Sequence, residues 1–183
     1  MTINQTIPDF ELQAYQDEQI KKIRLSDYRG RWLVLLFYPA DFTFICPTEL
    51  EEAARLYKDF VKEGAELLSI STDTVYVHKA WHEHSKQVGK ITFPMIADPT
   101  GRVAKAFGTY IDEEGVSLRA SFIIDPDGKV QVFEMHSTDI GRNIQEILRK
   151  LQAANFIYKN KGKLICPVNW KPGDKAIKKD ATH

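Results

Sequence analysis

The segment Arg31 to Tyr38, RWLVLLFY, limits what this chain can become more than any other stretch. It is almost uninterruptedly apolar, and a β-strand carries that pattern when both of its faces are covered. It is far too short to cross a bilayer, which takes roughly 20 apolar residues. The segments that follow supply the covering layers. Leu50, Ala53, Ala54, Tyr57, Phe60 and Val61 recur at spacings of three and four, the mark of a helix with one buried face, ending near Gly64. Ala65 to Thr72 reads as a second inner strand, and Asp73 or Thr74 opens a helix running to about Val88, with Gly89 as its stop. Residues 93–97 form a short strand, 98–101 a turn and Arg102 to Phe107 a short helix. Arg119 to Ile124 and Lys129 to Met135 are strands around the turn Asp125-Pro126-Asp127-Gly128. Ile144, Ile147, Leu148 and Leu151 mark a last helix from about Arg142 to Asn155, and the first thirty residues suggest a hairpin around Asp17-Glu18. From Tyr158 onward the chain is lysine-rich with no sustained apolar period, and reads as an extended or mobile tail. This order predicts an α/β fold, a central mixed sheet with helices on both faces.

Composition narrows the function classes. A chain of 183 residues that is 43% hydrophobic and 27% charged is one soluble domain with a proper core, here taken as 1–157 followed by the tail 158–183. Lys+Arg and Asp+Glu stand at 25 each, which argues against nucleic acid or an anionic membrane as the main partner and leaves room only for a local basic patch. Met1 to Asp9 lacks the basic-then-apolar pattern of a secretory signal, so the expected location is the cytosol, where thiols stay reduced. Two cysteines, Cys46 and Cys166, are too few for a disulfide scaffold, yet both sit in an Ile-Cys-Pro setting.

Cys46 lies where the first inner strand runs into the first long helix, the place where α/β sheets gather reactive groups. Two helix starts are open. Thr48 with Glu51 forms a capping box that leaves Cys46 just outside, or Thr43 caps and Cys46 lies in the first turn, where Pro47 costs at most one backbone bond. Both put the sulfur near free N–H groups and the positive end of the helix dipole, which favours thiolate, the nucleophilic form.

The run Phe37 to Glu49, FYPADFTFICPTE, closely resembles the active-site segment of the peroxiredoxins, in the version of the typical two-cysteine group that includes the bacterial alkyl hydroperoxide reductase peroxidase subunit. The similarity continues through Arg119 to Asp125 (RASFIID), Gly141-Arg142 and Cys166 to Gly173 (CPVNWKPG), covering nearly the whole chain in order. The resemblance implies a thioredoxin-like fold and a thiol peroxidase that reduces hydrogen peroxide and organic hydroperoxides without metal, haem, flavin or other cofactor of its own. It implies Cys46 as the peroxidatic thiol, Pro39 as its shield from water, and Thr43 as hydrogen-bond partner of substrate and sulfur. By the same resemblance Arg119 orients the peroxide and favours the thiolate, Glu49 holds that arginine, and Arg142 is the outer arginine. Cys166 resembles the resolving cysteine, which in the typical group reaches the other subunit of a homodimer; such dimers can assemble into decamers. Thioredoxin or a dedicated flavoprotein disulfide reductase would return the electrons.

Other readings have less behind them. A thioredoxin-like disulfide exchanger needs Cys-x-x-Cys, and Glu49 occupies the second cysteine's position; a chaperone module on the same fold would show no turnover. His78, His82 and His84 lack a third partner for a metal and read as a solvent-facing helix, with Asp73 as its cap and Trp81 as a core or interface aromatic. The turns at 98–101 and 125–128 lack phosphate-loop spacing. The chain departs from the easily over-oxidised members of the family: the region around Gly108-Thr109-Tyr110 has no Gly-Gly-Leu-Gly insertion, and no Tyr-Phe pair follows Cys166. The enzyme should therefore resist excess peroxide; mass spectrometry after a few turnovers should find little sulfinate at Cys46, and abundant sulfinate would refute this.

Overall fold

The computed structural model describes residues 1–179; the last four positions of the tail lie outside the described residues. Strands β1 (Glu11–Gln16) and β2 (Gln19–Arg24) form the first hairpin. Asp17 and Glu18 both take positive φ (52° and 60°), the conformation a two-residue turn needs to match strand twist. Then come β3 (Trp32–Phe37), α1 (Cys46–Lys62), β4 (Ala65–Ser71), α2 (Val75–His84), β5 (Met95–Ala97) and α3 (Arg102–Phe107). A small β6–β7 hairpin (Tyr110–Ile111, Val116–Ser117) precedes β8 (Arg119–Ile124), β9 (Val130–His136) and α4 (Ile144–Lys159). The tail carries a short antiparallel pair, β10 (Leu164–Ile165) with β11 (Ile177–Lys178).

The main sheet has the order β2-β1-β5-β4-β3-β8-β9 and is mixed: β3 runs parallel to β4 and antiparallel to β8. Every residue of β3 is buried. Alternation explains the apolar run, since Trp32, Val34 and Leu36 face one core with Leu50, Phe60 and Leu148, while Leu33, Leu35 and Phe37 face a second core with Ile70, Phe107 and Phe122.

The helix bounds refine the sequence expectation, and two of the helices differ from it in extent. The first helix begins at Cys46, one turn ahead of its apolar stripe. The second stops at His84 rather than Val88: Ser85 turns extended and a 3₁₀ turn at Val88–Lys90 folds back, which buries Val88 and Ile91. The last helix starts at Ile144, with the Asn143 side chain accepting from the Glu146 N–H at 3.0 Å, and continues past Asn155 to Lys159. Its extra turn provides Phe156, against which the buried indole of Trp170 packs at 4.8 Å between ring centroids. Arg149 donates to the Trp170 carbonyl at 2.6 Å, so the tail is tied to α4 at its centre.

Asn155 joins three elements. It accepts from the Trp32 indole N–H at 3.0 Å and donates to the Glu63 carbonyl at 3.0 Å, linking α4 to β3 and to the end of α1. Asn155→Leu leaves a buried indole N–H unpartnered and should cost about 1–3 kcal/mol, read as a lower urea midpoint with unchanged slope.

Candidate active site

The loop from β3 to α1 turns on Phe42, whose φ is +56°. Thr43 Oγ1 donates to the Ala40 carbonyl at 2.8 Å, and Thr48 Oγ1 to the Ile45 carbonyl at 2.6 Å. Neither threonine caps the helix: Ile45 occupies the cap position in α-helical conformation with no side-chain hydrogen bond, and Pro47 sits in the first turn. Of the two helix starts, the one with Cys46 inside the first turn is found, but without its expected cap. Pro39 is buried at the end of β3, and Cys46 is fully buried.

Arg119, which read alone as a surface charge, is buried because it opens β8 directly beside β3. Its Nη1 lies 3.2 Å from Cys46 Sγ and 3.0 Å from Glu49 Oε2, while its Nε donates to the Thr138 carbonyl at 2.8 Å. Glu49 lies three residues along α1, so it shares the sulfur's side of the first turn. Arg142 grips the same carboxylate: its backbone N–H and Nε donate to Oε1 at 2.7 and 3.0 Å, and Nη2 to Oε2 at 2.8 Å. Its Nη1 donates to the Ala120 carbonyl at 2.8 Å. Burial works to raise the Glu49 pKa, but the hydrogen bonds and charge of Arg142, with Arg119 behind them, outweigh it and hold the carboxyl below its usual value. Two guanidiniums against one carboxylate leave a net positive charge at the sulfur. Gly141 lets this loop close on the site, since a Cβ there would stand 3.3 Å from Ile45 Cγ2. Cys46, Glu49, Arg119 and Arg142 therefore form one buried cluster. Thr43 and Pro39 belong to the loop leading into it, with the Thr43 hydroxyl proton committed to Ala40.

Sequence reasoning missed a second polar cluster behind the loop. His78 does not face solvent as expected but is fully buried. Its Nδ1 is 2.7 Å from Asp41 Oδ2 and its Nε2 donates to the Ile96 carbonyl at 3.0 Å; the Tyr38 hydroxyl donates to Asp41 Oδ1 at 2.7 Å. Asp73 is not the cap of α2, a position Thr74 takes; its carboxylate accepts from the Asp41 N–H and the Ser71 hydroxyl. Burial alone favours neutral His78, but the Asp41 carboxylate and the Ile96 carbonyl outweigh it and raise the histidine pKa. Burial likewise raises Asp41, so the pair as a whole holds protons more firmly than its parts do in water. The signal was available: Val75, His78 and Trp81 recur every three residues on the buried side of α2.

Cys166 is elsewhere. It lies half-buried in a cleft of about 1070 Å³ with Trp32, Val132, Ala153, Ile157 and Lys161, its Sγ 3.8 Å from the Ala153 carbonyl. Burial raises its pKa, with Arg149 opposing in part. Trp32 opens β3 at this cleft whereas Cys46 follows the far end of that strand, and Asp125, just beyond β8, lines the cleft whereas Arg119 begins β8 at Cys46. A six-residue strand spans on the order of 17 Å, so the fold sets the two sulfurs at opposite ends of the sheet. Both thiols are free. No group of three or more metal-ligating side chains occurs among the described residues.

With this geometry in hand, comparison with known proteins is decisive. The profile of the AhpC/TSA family matches residues 3–133, and that of the C-terminal domain of 1-Cys peroxiredoxin matches residues 158–182. The chain belongs to the AhpC/TSA family. Alkyl hydroperoxide reductase C of Pseudomonas aeruginosa is 43% identical over 96% of this chain and 93% of its own. Among solved structures, Enterococcus faecalis AhpC superposes with a TM-score of 0.87 at 42% identity, over 90% of this chain and 98% of that one. Reduced 2-Cys peroxiredoxin of Plasmodium vivax superposes at 0.90 and 32% identity, over 95% and 91%. The fold is thus the thioredoxin-like fold of the peroxiredoxins, and this AhpC/TSA protein is an enzyme, a peroxidase of the oxidoreductase class. The C-terminal profile takes its name from one-cysteine proteins, yet in this chain its span includes Cys166.

The carboxylate at the centre of the cluster sets an acid limit on the fold. Because folding lowers the Glu49 pKa, the group adds stability that is fully present above the ordinary glutamate value of ~4.3 and is lost as pH falls through the depressed one. Glu49→Gln should cost about 3–5 kcal/mol at neutral pH, since it strands two buried cations. It should also flatten the fall in stability between neutral and acid pH. Urea titrations at both ends of that range check this; an unchanged acid slope contradicts it.

Proposed function

We propose that Cys46 is the peroxidatic cysteine of this peroxidase and Cys166 its resolving partner. The observation that carries the first assignment is the contact of Arg119 with both Cys46 Sγ and the Glu49 carboxylate, inside a buried site. A sulfur anion there gains a charge-assisted hydrogen bond from a guanidinium that cannot swing away. The thiolate attacks one oxygen of the hydroperoxide, the S–O bond forms as the O–O bond breaks, and the leaving alkoxide or hydroxide takes a proton to become alcohol or water. Cys46 is left as a sulfenic acid. Arg119 is placed to carry the negative charge that develops along the O–O axis. Thr43, with its proton held by Ala40, presents lone pairs that can accept from the peroxide O–H. Pro39 closes the strand side of the site against water, Glu49 fixes Arg119, and Arg142 fixes Glu49.

The sulfenic acid then condenses with the Cys166 thiol, forming the disulfide and releasing water. The placement of the two sulfurs at opposite ends of β3 disfavours a bridge within one chain and supports one between two copies, hence a homodimer able to build larger rings such as a decamer. Reduction by thioredoxin or a flavoprotein disulfide reductase completes the cycle, a demand that suits the cytosol. No cofactor enters any step; neither nucleic acid nor membrane takes part.

Cys46→Ser should abolish peroxide consumption in a coupled assay. Cys166→Ser should keep the first, stoichiometric turnover and recycle only with small thiols. A stoichiometric peroxide pulse should give a band of twice the chain mass on a non-reducing gel, absent from both variants. Peroxide turnover surviving Cys46→Ser would remove the assignment.

A further inference from the structure

The balanced charge of the chain hides a strong asymmetry. Residues 158–183 contain seven lysines and two aspartates, a net +5, so residues 1–157 carry −5. All seven lysines are exposed, and among the described residues none is in an ion pair. The cations of α4 beside them are neutralised, Arg149 by Glu146 and Lys150 by Glu134. Three of the free lysines, Lys161, Lys163 and Lys178, lie close to Cys166 along the chain or across the tail's strand pair. Lys161 lines the same cleft as the sulfur. Lys163 stands three residues before it, on the order of 10 Å of extended chain. Lys178 lies opposite Leu164 in the β10–β11 pair, and the Lys179 N–H donates to the Lys163 carbonyl at 3.1 Å, so the pairing brings both ends of the lysine-rich segment together. The fixed anchor of Trp170 on Phe156 holds the collar in place. The one counter-charge within the described tail is Asp174, which accepts from the Lys171 N–H.

We propose that this lysine collar is a docking surface for the acidic face of the protein disulfide reductase that recycles the enzyme. The inference rests on the reading of Cys166 as the resolving thiol. Any reductant must come to the disulfide, and Cys166 is the half-exposed sulfur while Cys46 is fully enclosed. A reductant thiolate attacks the Cys166 sulfur, the S–S bond to Cys46 breaks, and Cys46 leaves as thiolate; the reductant's second thiol then displaces Cys166, and one dithiol has become one disulfide. Positive potential around Cys166 raises the local concentration of anionic attackers and steers acidic proteins to the spot. Nucleic acid or an anionic membrane would also feel this charge, but neither has work to do at a disulfide.

The test uses the full-length protein oxidised with one equivalent of peroxide, and follows reduction of its disulfide by mercaptosuccinate, an anionic thiol, and by cysteamine, a cationic one. Each rate is divided by that thiol's rate on 2-hydroxyethyl disulfide, a neutral reference. At low salt the normalised rates should differ about tenfold in favour of mercaptosuccinate. The ratio should fall toward one in 0.5 M NaCl and in the triple variant Lys161→Gln, Lys163→Gln, Lys178→Gln. Turnover with neutral dithiothreitol should be the same in variant and wild type, which shows that the variant is folded. A ratio near one at low salt, or one that the triple variant leaves unchanged, overturns the proposal. So does salt-sensitive binding of a DNA duplex or of phosphatidylserine vesicles by the collar without any bias between the thiols. Failure to form the disulfide at all would instead defeat the Cys166 reading on which the proposal stands.

Discussion

The Glu49 carboxylate, buried between Arg119 and Arg142, is the interaction on which the rest of the site depends. Its two partners come from distant parts of the chain, so the contact joins the first turn of α1 to the first residue of β8 and the loop before α4. Removing the carboxylate strands two buried guanidiniums, and removing either arginine leaves buried acceptors short of donors, so the three elements stabilise one another. Every donor of Arg142 that faces the core finds an acceptor, which fixes Glu49, and Glu49 fixes the one guanidinium nitrogen shared with the sulfur. Rigidity passes outward to inward, from a structural arginine to a chemical one.

A second consequence is the division of labour between the two ends of the sheet. The end where β3 meets α1 holds an enclosed thiol beside a buried guanidinium; the end where β3 begins holds an open cleft and a thiol that burial makes reluctant to ionise. One sulfur is enclosed, the other accessible, and the length of β3 lies between them.

Much of this could be read from the sequence where one residue type has one physical use. The run from Trp32 to Phe37 gave its two-sided burial away because no polar residue interrupts it. The position of Cys46 at a strand-to-helix junction followed from flanking periodicities alone. What stayed hidden depended on pairing across the chain. Arg119 looks like a surface charge until Glu49, seventy positions away, is seen to meet it. His78 reads as solvated when only the polar histidines one turn apart are considered, although the apolar Val75 and Trp81 on either side mark its face as inward. The extra turn of α4 is hidden because Phe156 meets its partner Trp170 only across the tail, and the threonines that read as caps of α1 turn their hydroxyls to nearby carbonyls instead.

That missing cap has a meaning of its own. A helix whose opening turn lacks a side-chain cap is held there by what it packs against, here the Arg119 and Arg142 contacts of Glu49, while Pro47 has no amide hydrogen to leave unpaired. The turn so held carries Cys46, so the sulfur's position depends on contacts made by distant residues rather than on a local cap. The proposed cycle asks an oxidised Cys46 to be met by a second thiol, and a capping residue at position 45 would add a hold on that turn which the present side chain does not exert. With Ile45 there, the opening of α1 answers chiefly to the buried charge cluster.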